Sequence, residues 1–192
     1  GDLGLYTISV REMSKDESQI PRILGNILSI RTCVGVIGML LAIAASFFVP
    51  EHARMTLAIA LGAFTVFLAL INGTLTTVIQ THLKMQQASI AMVIGRIAAI
   101  AYMAYTVFVA YTQDPETGFY HLIIAGIVGN AVMIGVTLFY ARKLTDIRYR
   151  FDFDFWKLIL QKSVPFGVSL ILSTIYFRLN GLLLFFMQGA EE

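Results

Sequence analysis

Arg178 lies inside an otherwise uncharged, mostly apolar run near the end of the chain, VPFGVSLILSTIYFRLNGLLLFFMQG. A guanidinium stays charged in a protein, and a charge at membrane depth normally faces a bundle interior or a water-filled cavity. Asn180 follows two residues later, and both residues can border one wide cavity. Such a cavity would attract an anion such as a phosphate. We therefore predict Arg178 and Asn180 as lumen residues, with a salt bridge to a helix outside this sequence as the alternative for Arg178.

Three further polar residues within apolar runs are candidates for the same lumen. Arg96 interrupts one run and either faces the lumen or extends its charged end to the nearer interface. Asn72 and Gln80 belong to a polar stretch at the end of another run, where they either line a lumen or hydrogen-bond between helices. Arg31 lies close to an interface, and we expect it to extend outward.

The sequence contains none of the usual signatures of a catalytic or metal site, such as HExxH, GxSxG, a P-loop or CxxC. His52, His82 and His121 lie at the ends of apolar runs, and Cys33 is the single cysteine. We therefore predict no catalytic residue, no metal ligand and no cofactor.

The composition indicates a membrane protein. The mean hydropathy is +0.76 and only 14% of the residues are charged, whereas soluble domains carry about 25% charged residues. We predict an all-α, polytopic membrane helix bundle with membrane lipid as a partner. Nothing indicates a nucleic-acid partner.

Apolar runs of spanning length predict five transmembrane helices. Residues 20–31 carry apolar side chains on one helical face and predict an amphipathic segment lying at the interface before the first span. Pro165 and Gly167 predict a kink or break early in the last span. The five predicted spans are residues 27–49, 56–81, 88–111, 121–141 and 163–187.

Lysine and arginine are concentrated in alternate loops, which orients the helices because cytoplasmic loops are the basic ones. This places residues 11–22, 82–87 and 142–157 in the cytoplasm of a cell with a cytoplasmic (inner) membrane. The opposite loops contain only Arg54. Six residues of the basic loops are predicted interfacial anchors: Arg11, Arg142, Lys143, Arg148, Arg150 and Trp156.

Aromatic and charged residues alternate in RYRFDFDFW, residues 148–156. A period of two predicts an extended segment, with one face in the lipid headgroups. Asp154 is the expected cap of the following helix. Because the chain starts at Gly1 with what reads as the end of an apolar helix, we expect a fragment of a longer membrane protein, truncated at both ends.

Several segments resemble one family of transporters. GLYTISVREMSKD and LGNILSIR resemble helix ends of prokaryotic polysaccharide-biosynthesis membrane proteins. FDFDFWKLILQKSVPFGVSLILSTIYFRLNGLLLFFMQGAEE resembles the linker and seventh helix of the oligosaccharide (Wzx-type) flippases, whose superfamily includes the multidrug and toxin extrusion (MATE) transporters. The resemblance implies a MATE-like fold of two six-helix bundles. Residues 1–150 would hold the end of helix 2 and helices 3–6, and residues 151–192 the linker and first helix of the second bundle.

The resemblance implies a function as well. Family members flip polyprenyl-diphosphate-linked oligosaccharides across the cytoplasmic membrane, by alternating access, for surface polysaccharide biosynthesis. Arg178 matches the family's Tyr-Phe-Arg position, but Asn180 stands where an acidic residue is common, so a coupling role there for H⁺ or Na⁺ is left open. A glycan polymerase or glycosyltransferases of the same pathway are candidate partners. A cation-coupled multidrug exporter of the same fold, and an integral-membrane scaffold or glycan-modifying enzyme, are the alternatives.

Overall fold

The computed structural model describes residues 5–47, 52–110 and 115–188. The side chains described are those of residues 8–47, 56–109 and 118–165, and of residues 168, 169, 172, 173, 175 and 176. This part of the chain is helical, with no strand, which confirms the all-α prediction. The helices are α1 Leu5–Lys15, α2 Ile20–Ser46, α3 His52–Thr81, α4 Met85–Tyr105, α5 Pro115–Arg142 and α6 Phe153–Gln188.

Two short turns of other helical types flank these elements. A 3₁₀ turn over Glu17–Gln19 precedes α2, and Asp16 caps it by accepting a hydrogen bond from the Ser18 amide at 2.9 Å. A π-helical turn over Thr106–Ala110 continues α4. The helices are therefore joined closely at the ends of the bundle.

Four helical stretches are long and apolar enough to cross a membrane: Glu17–Ser46, Thr56–Thr81, Met85–Val109 and Gly118–Arg142. They contain most or all of the first four predicted spans, and they make the chain a multi-pass membrane protein. The fifth predicted span lies within α6, many of whose side chains are outside the described set. A break at Pro165 and Gly167 is wrong, because α6 continues through both residues.

Residues 20–31 do not form a separate helix at the interface. They are the first part of α2, which runs without interruption into the span. Ile20, Ile23, Leu24, Ile27 and Leu28 are at most 5% exposed and pack in the main core of the described residues. The apolar face is the one predicted, but protein covers it instead of lipid headgroups.

Helix α3 packs against more of the other helices than any other described helix. It contacts α1, α2, α4 and α5, while α5 also packs along α4. The core joins α1, α2 and α3 through Met13, Leu24, Leu75 and Val78, each at most 2% exposed. On the outside, large apolar side chains such as Leu41, Ile100 and Phe108 are more than half exposed, as expected for a surface in contact with lipid.

Side-chain contacts place the three basic loops at the same end of the bundle. Lys162 Nζ of α6 lies 3.3 Å from Glu12 Oε1 of α1, and Thr81 at the end of α3 contacts Met13 of α1 at 3.9 Å. Hydrogen bonds also join the start of α2 to the segment before α6. The ends of the helices therefore agree with the alternation of basic and non-basic loops.

Candidate functional site

Arg178 and Asn180 both lie in the second half of α6. Arg178 is 25 residues after the start of that helix at Phe153, which is about 38 Å along its axis at 1.5 Å per residue. The side chains of both residues lie outside the described set. Their assignment to a lumen remains a prediction.

Arg96 lies in a groove of about 320 Å³ between α3, α4 and α5. Asn130 of α5 lines the same groove, and its Nδ2 donates to the Gly126 carbonyl at 2.9 Å. Arg96 is exposed, and no described residue forms an ion pair or hydrogen bond with its guanidinium. Its N–H groups are therefore available to an anion that enters the groove.

Small residues where α4 crosses α5 bring the two backbones close together beside this groove. A Cβ atom at Gly95 would lie 2.8 Å from the Gly129 carbonyl oxygen and 2.6 Å from Met133 Cβ. A Cβ atom at Gly129 would lie 2.7 Å from Ala99 Cβ. We call these four residues, Gly95, Ala99, Gly129 and Met133, the glycine crossing. It fixes the position of Arg96, the residue that follows Gly95.

Asn72 lies on the same face of α3 as Ala69, a lining residue of the Arg96 groove, and one turn further along. Asn72 is only 6% exposed, and no described residue donates a hydrogen bond to its Oδ1. Gln80 is half-buried two turns further along the same face. The structure therefore places Asn72 next to the Arg96 groove and Gln80 at the far end of α3.

The expectation that Arg31 extends to the interface is wrong. Arg31 is 3% exposed and lies between α2 and α3. Its Nη1 donates to the Leu70 carbonyl at 3.2 Å and to Thr74 Oγ1 at 3.0 Å. Gly73 makes room for it, since a Cβ atom there would lie 3.2 Å from Nη1. This second buried cation was missed as a site candidate, although the polar stretch around Thr74 was visible in the sequence.

A polar cluster, which we call the α2 clamp, joins the first two turns of α2 to residues 150–156. Asn26 Oδ1 accepts hydrogen bonds from the Asp152 amide at 2.8 Å and from Trp156 Nε1 at 3.1 Å. Asn26 Nδ2 donates to the Arg22 carbonyl at 2.9 Å. Asn26 is completely buried, so one amide side chain meets both its acceptor and its donor needs inside the protein.

The backbone of the clamp approaches closely because Gly25 has no side chain. The Arg150 amide donates to the Gly25 carbonyl at 3.3 Å. A Cβ atom at Gly25 would collide with the Arg148 carbonyl oxygen. Sequence reasoning did not find this contact, because its two sides lie more than 120 residues apart.

An ion pair completes the clamp at its surface. Arg22 Nη2 lies 2.6 Å from Asp152 Oδ2, and the two side chains are 51% and 32% exposed. Asp152 also caps α6, since its Oδ1 accepts a hydrogen bond from the Phe155 amide at 3.1 Å. The hydrogen bond from Arg22, followed by the one from Phe155, lowers the pKa of the Asp152 carboxyl below its ordinary value.

The prediction of Asp154 as the cap and the extended reading of residues 148–156 are therefore each partly wrong. Asp154 lies in the first turn of α6 rather than at its cap. The chain is non-helical only as far as Asp152, because α6 begins at Phe153. The alternation of charges and aromatics ends where the helix starts.

The predicted interfacial anchors lie at or near the end of the bundle that carries the clamp. Arg11, Arg142, Lys143, Arg148 and Arg150 are exposed, and Trp156 is half-buried. Arg148 pairs loosely with Asp146 at 3.6 Å, and Lys143 Nζ lies 4.1 Å from the centroid of the Phe139 ring. Trp156 contacts both Phe151 and Phe153, with ring centroids 5.9 and 5.3 Å away.

Among the described residues, no group of three histidine, cysteine or acidic side chains is placed to hold a metal ion. His82 Nδ1 lies 2.9 Å from the Val78 carbonyl of its own helix. His121 Nδ1 lies 2.8 Å from the Tyr102 hydroxyl and joins α5 to α4. Both contacts fit structural roles at helix ends.

A family model described as "Polysaccharide biosynthesis protein" matches the chain over residues 1–192. No similar protein was found among curated proteins or among solved structures. The match covers the full sequence, and it confirms the resemblance that the helix ends and the linker segment indicated.

Proposed function

Because the chain belongs to the polysaccharide biosynthesis protein family, we propose that it is part of a flippase for lipid-linked oligosaccharides. It moves polyprenyl-diphosphate-linked oligosaccharides from the inner to the outer leaflet of the cytoplasmic membrane, for surface polysaccharide biosynthesis. The family match over residues 1–192 is the observation that carries this proposal. The four apolar helices of spanning length support it.

The proposed mechanism is alternating access between two bundles of six helices in a MATE-like fold. Residues 1–150 supply the end of helix 2 and helices 3–6, and residues 151–192 supply the linker and the first helix of the second bundle. The basic loops 11–22, 82–87 and 142–157 face the cytoplasm. The α2 clamp lies at the boundary between the two parts and holds the start of α6 against the first part.

Arg178 is proposed to bind the diphosphate of the substrate, because a guanidinium donates to two phosphate oxygens at once. Arg96 supplies a second cation, and its exposed position without a protein partner among the described residues supports that role. Asn180, Asn72 and Gln80 are proposed to offer hydrogen bonds to the sugars. The buried Oδ1 of Asn72, to which no described residue donates, supports its part.

The proposed protein is a transporter and not an enzyme, and its coupling ion is H⁺ or Na⁺. A cation-coupled multidrug exporter would need carboxylates within its membrane-spanning helices, and residues 20–46, 56–81, 85–109 and 118–142 contain none. Glycosyltransferases or a glycan polymerase of the same pathway are the proposed partners.

The test is complementation of a strain that lacks its own flippase, using the full-length protein. The wild-type protein should restore the surface glycan. We expect Arg178→Ala to lower transport by roughly 10- to 100-fold, the value of a hydrogen-bonded charge. Arg178→Lys should retain part of the activity, because it keeps the charge but loses the bidentate geometry.

Arg148→Ala is the matched control, since Arg148 is an exposed loop cation with only a loose ion pair to Asp146. Full activity of Arg178→Ala at a normal membrane level would exclude the role of Arg178 and leave the transport function intact. Failure of the wild-type protein to restore any glycan, in a strain that a known flippase rescues, would contradict the transport function itself.

A further inference from the structure

The last two turns of α5 carry a second cationic groove, separate from the one that contains Arg96. Its volume is about 360 Å³, and it is lined by Gly135, Leu138, Phe139, Arg142 and Lys143. These positions are three or four residues apart along one helix, so they form a single stripe on its surface. The stripe is apolar for its first three residues and cationic for the last two.

The apolar part has an open notch at Gly135. A Cβ atom built there would meet no other atom within 4 Å, and Phe139 beside it is 58% exposed. Gly135 lies seven residues before Arg142, which is about 10 Å along the helix. That length suits the first methylene groups of an acyl chain lying along the helix.

The cationic part has no counter-ion among the described residues. Arg142 and Lys143 are exposed, and Lys143 Nζ contacts only the face of the Phe139 ring at 4.1 Å. The nearest acidic residue along the chain, Asp146, is paired with Arg148 at 3.6 Å. Two positive charges therefore lie unneutralised at the mouth of an apolar groove.

The end of α5 does not counteract this charge strongly. Free carbonyl groups at a helix C-terminus repel anions, but here the following amides cover two of them. The Lys143 amide donates to the Tyr140 carbonyl at 3.2 Å, and the Leu144 and Thr145 amides donate to the Ala141 carbonyl at 3.0 and 3.1 Å. An anion near Arg142 and Lys143 thus meets donors and cations.

We propose that this groove binds one anionic phospholipid of the leaflet that contacts the basic loops. The phosphate lies between Arg142 and Lys143, and one acyl chain lies over Leu138 and Phe139 and fills the notch at Gly135. The charge and the shape of the groove select this occupant, because a zwitterionic lipid would gain less from two cations and an apolar helix would leave both of them unpaired. This site does not depend on the proposed transport function.

The experiment counts lipids retained by the full-length protein in detergent, by native mass spectrometry, after addition of phosphatidylglycerol or phosphatidylcholine with the same acyl chains. The wild-type protein should retain one phosphatidylglycerol preferentially. Each cation near an anionic lipid surface raises affinity by about fivefold, so Arg142→Gln combined with Lys143→Gln should weaken retention by roughly 25-fold. Gly135→Leu should weaken retention of both lipids by filling the notch.

Two matched variants serve as controls. Gly38→Leu places the same side chain at another exposed glycine of a spanning helix, where a Cβ atom also meets nothing within 4 Å. Arg148→Gln removes a neighbouring exposed cation. Neither should change retention. Equal retention of the two lipids by the wild-type protein, or equal losses in the controls, would overturn the proposal.

Two further outcomes would assign the groove to another occupant and also overturn the proposal. If a polyprenyl diphosphate displaces phosphatidylglycerol completely at equal concentration, the groove belongs to the transported lipid. If Gly135→Leu fails to fold while Gly38→Leu folds normally, another helix of the full-length protein fills the notch.

Discussion

The α2 clamp and the glycine crossing hold helices together by opposite means. In the clamp, Asn26 makes three hydrogen bonds, and an ion pair between Arg22 and Asp152 closes the surface. In the crossing, α4 and α5 touch through backbone and Cβ atoms at Gly95 and Gly129, because side chains are absent. The first contact is made by polar groups that find partners, and the second by groups that are missing.

The difference follows from where each contact lies. The crossing is inside two spanning helices, where apolar lipid gives helices no hydrophobic reason to associate and close packing of small residues does so instead. The clamp lies at the end of the bundle that carries the basic loops, where water competes for exposed polar groups. There the buried amide of Asn26 matters most, since water cannot replace its partners.

Enlarging the glycine crossing should have the largest effect. Gly129→Leu would force a branched side chain against Ala99 Cβ, already 2.7 Å from a Cβ atom at that position, and against the Gly95 carbonyl oxygen at 2.9 Å. Overpacking usually costs about 1–3 kcal/mol, and we expect about 3 kcal/mol here because backbone must move. The measurement is the free energy of unfolding of the full-length protein in detergent, with Gly38→Leu as the control. Equal stability of the two variants would show that the crossing does not hold α4 to α5.

Removing the central amide of the clamp should have an intermediate effect. Asn26→Ala leaves the Trp156 indole N–H and the Asp152 amide without their acceptor, and a buried group without a partner costs about 1–3 kcal/mol. Asn130→Ala is the matched control, because Asn130 is partly exposed and makes a single printed bond, within its own helix, to the Gly126 carbonyl. The same unfolding measurement applies. A control loss as large as the Asn26 loss would mean that the bonds between segments add nothing.

The ion pair at the surface of the clamp should have the smallest effect, and it should depend on pH. The pKa of Asp152 is lowered in the folded protein from an ordinary value of 3.8, so its contribution is complete above that value and disappears as the pH falls through the lowered pKa. Asp152→Asn retains the cap oxygen but not the charge. The difference in melting temperature between wild type and Asp152→Asn should therefore be small at pH 7 and vanish near pH 2.5. A difference that is constant from pH 7 to pH 2.5 would rule out the ion pair as its source.

The sequence was sufficient to predict the class of the protein, the positions of four spans and the grouping of the basic loops. These features depend on hydrophobic runs and on the composition of the loops, both of which are local. The family was also recognised correctly, mainly from the segment around residues 151–192 and supported by two shorter helix ends.

The errors came from contacts between distant parts of the chain. The apolar face of residues 20–28 has the same pattern whether lipid or protein covers it, so the pattern could not show that α2 begins inside the core. Arg31 was expected at the interface because its acceptors, Leu70 and Thr74, belong to the next helix. Asp152 and Asp154 are both suitable caps by residue type, and only the docking of the Asp152 amide on Asn26 determines where α6 starts. Of the predicted lumen residues, Arg96 and Asn72 have described surroundings that suit a polar site, whereas Arg178 and Asn180 remain predictions.

The clamp also has a consequence for biosynthesis. Asn26 and Trp156 are separated by 130 positions, and ribosomes add about 5–20 residues per second. The amide of Asn26 therefore waits roughly ten seconds, while three more hydrophobic segments enter the bilayer, before its acceptor oxygen meets the indole. During that interval the first helices lack a contact that the finished protein contains. A nascent chain halted before residue 150 would present an incomplete helix packing to the insertion and quality-control machinery of the cell.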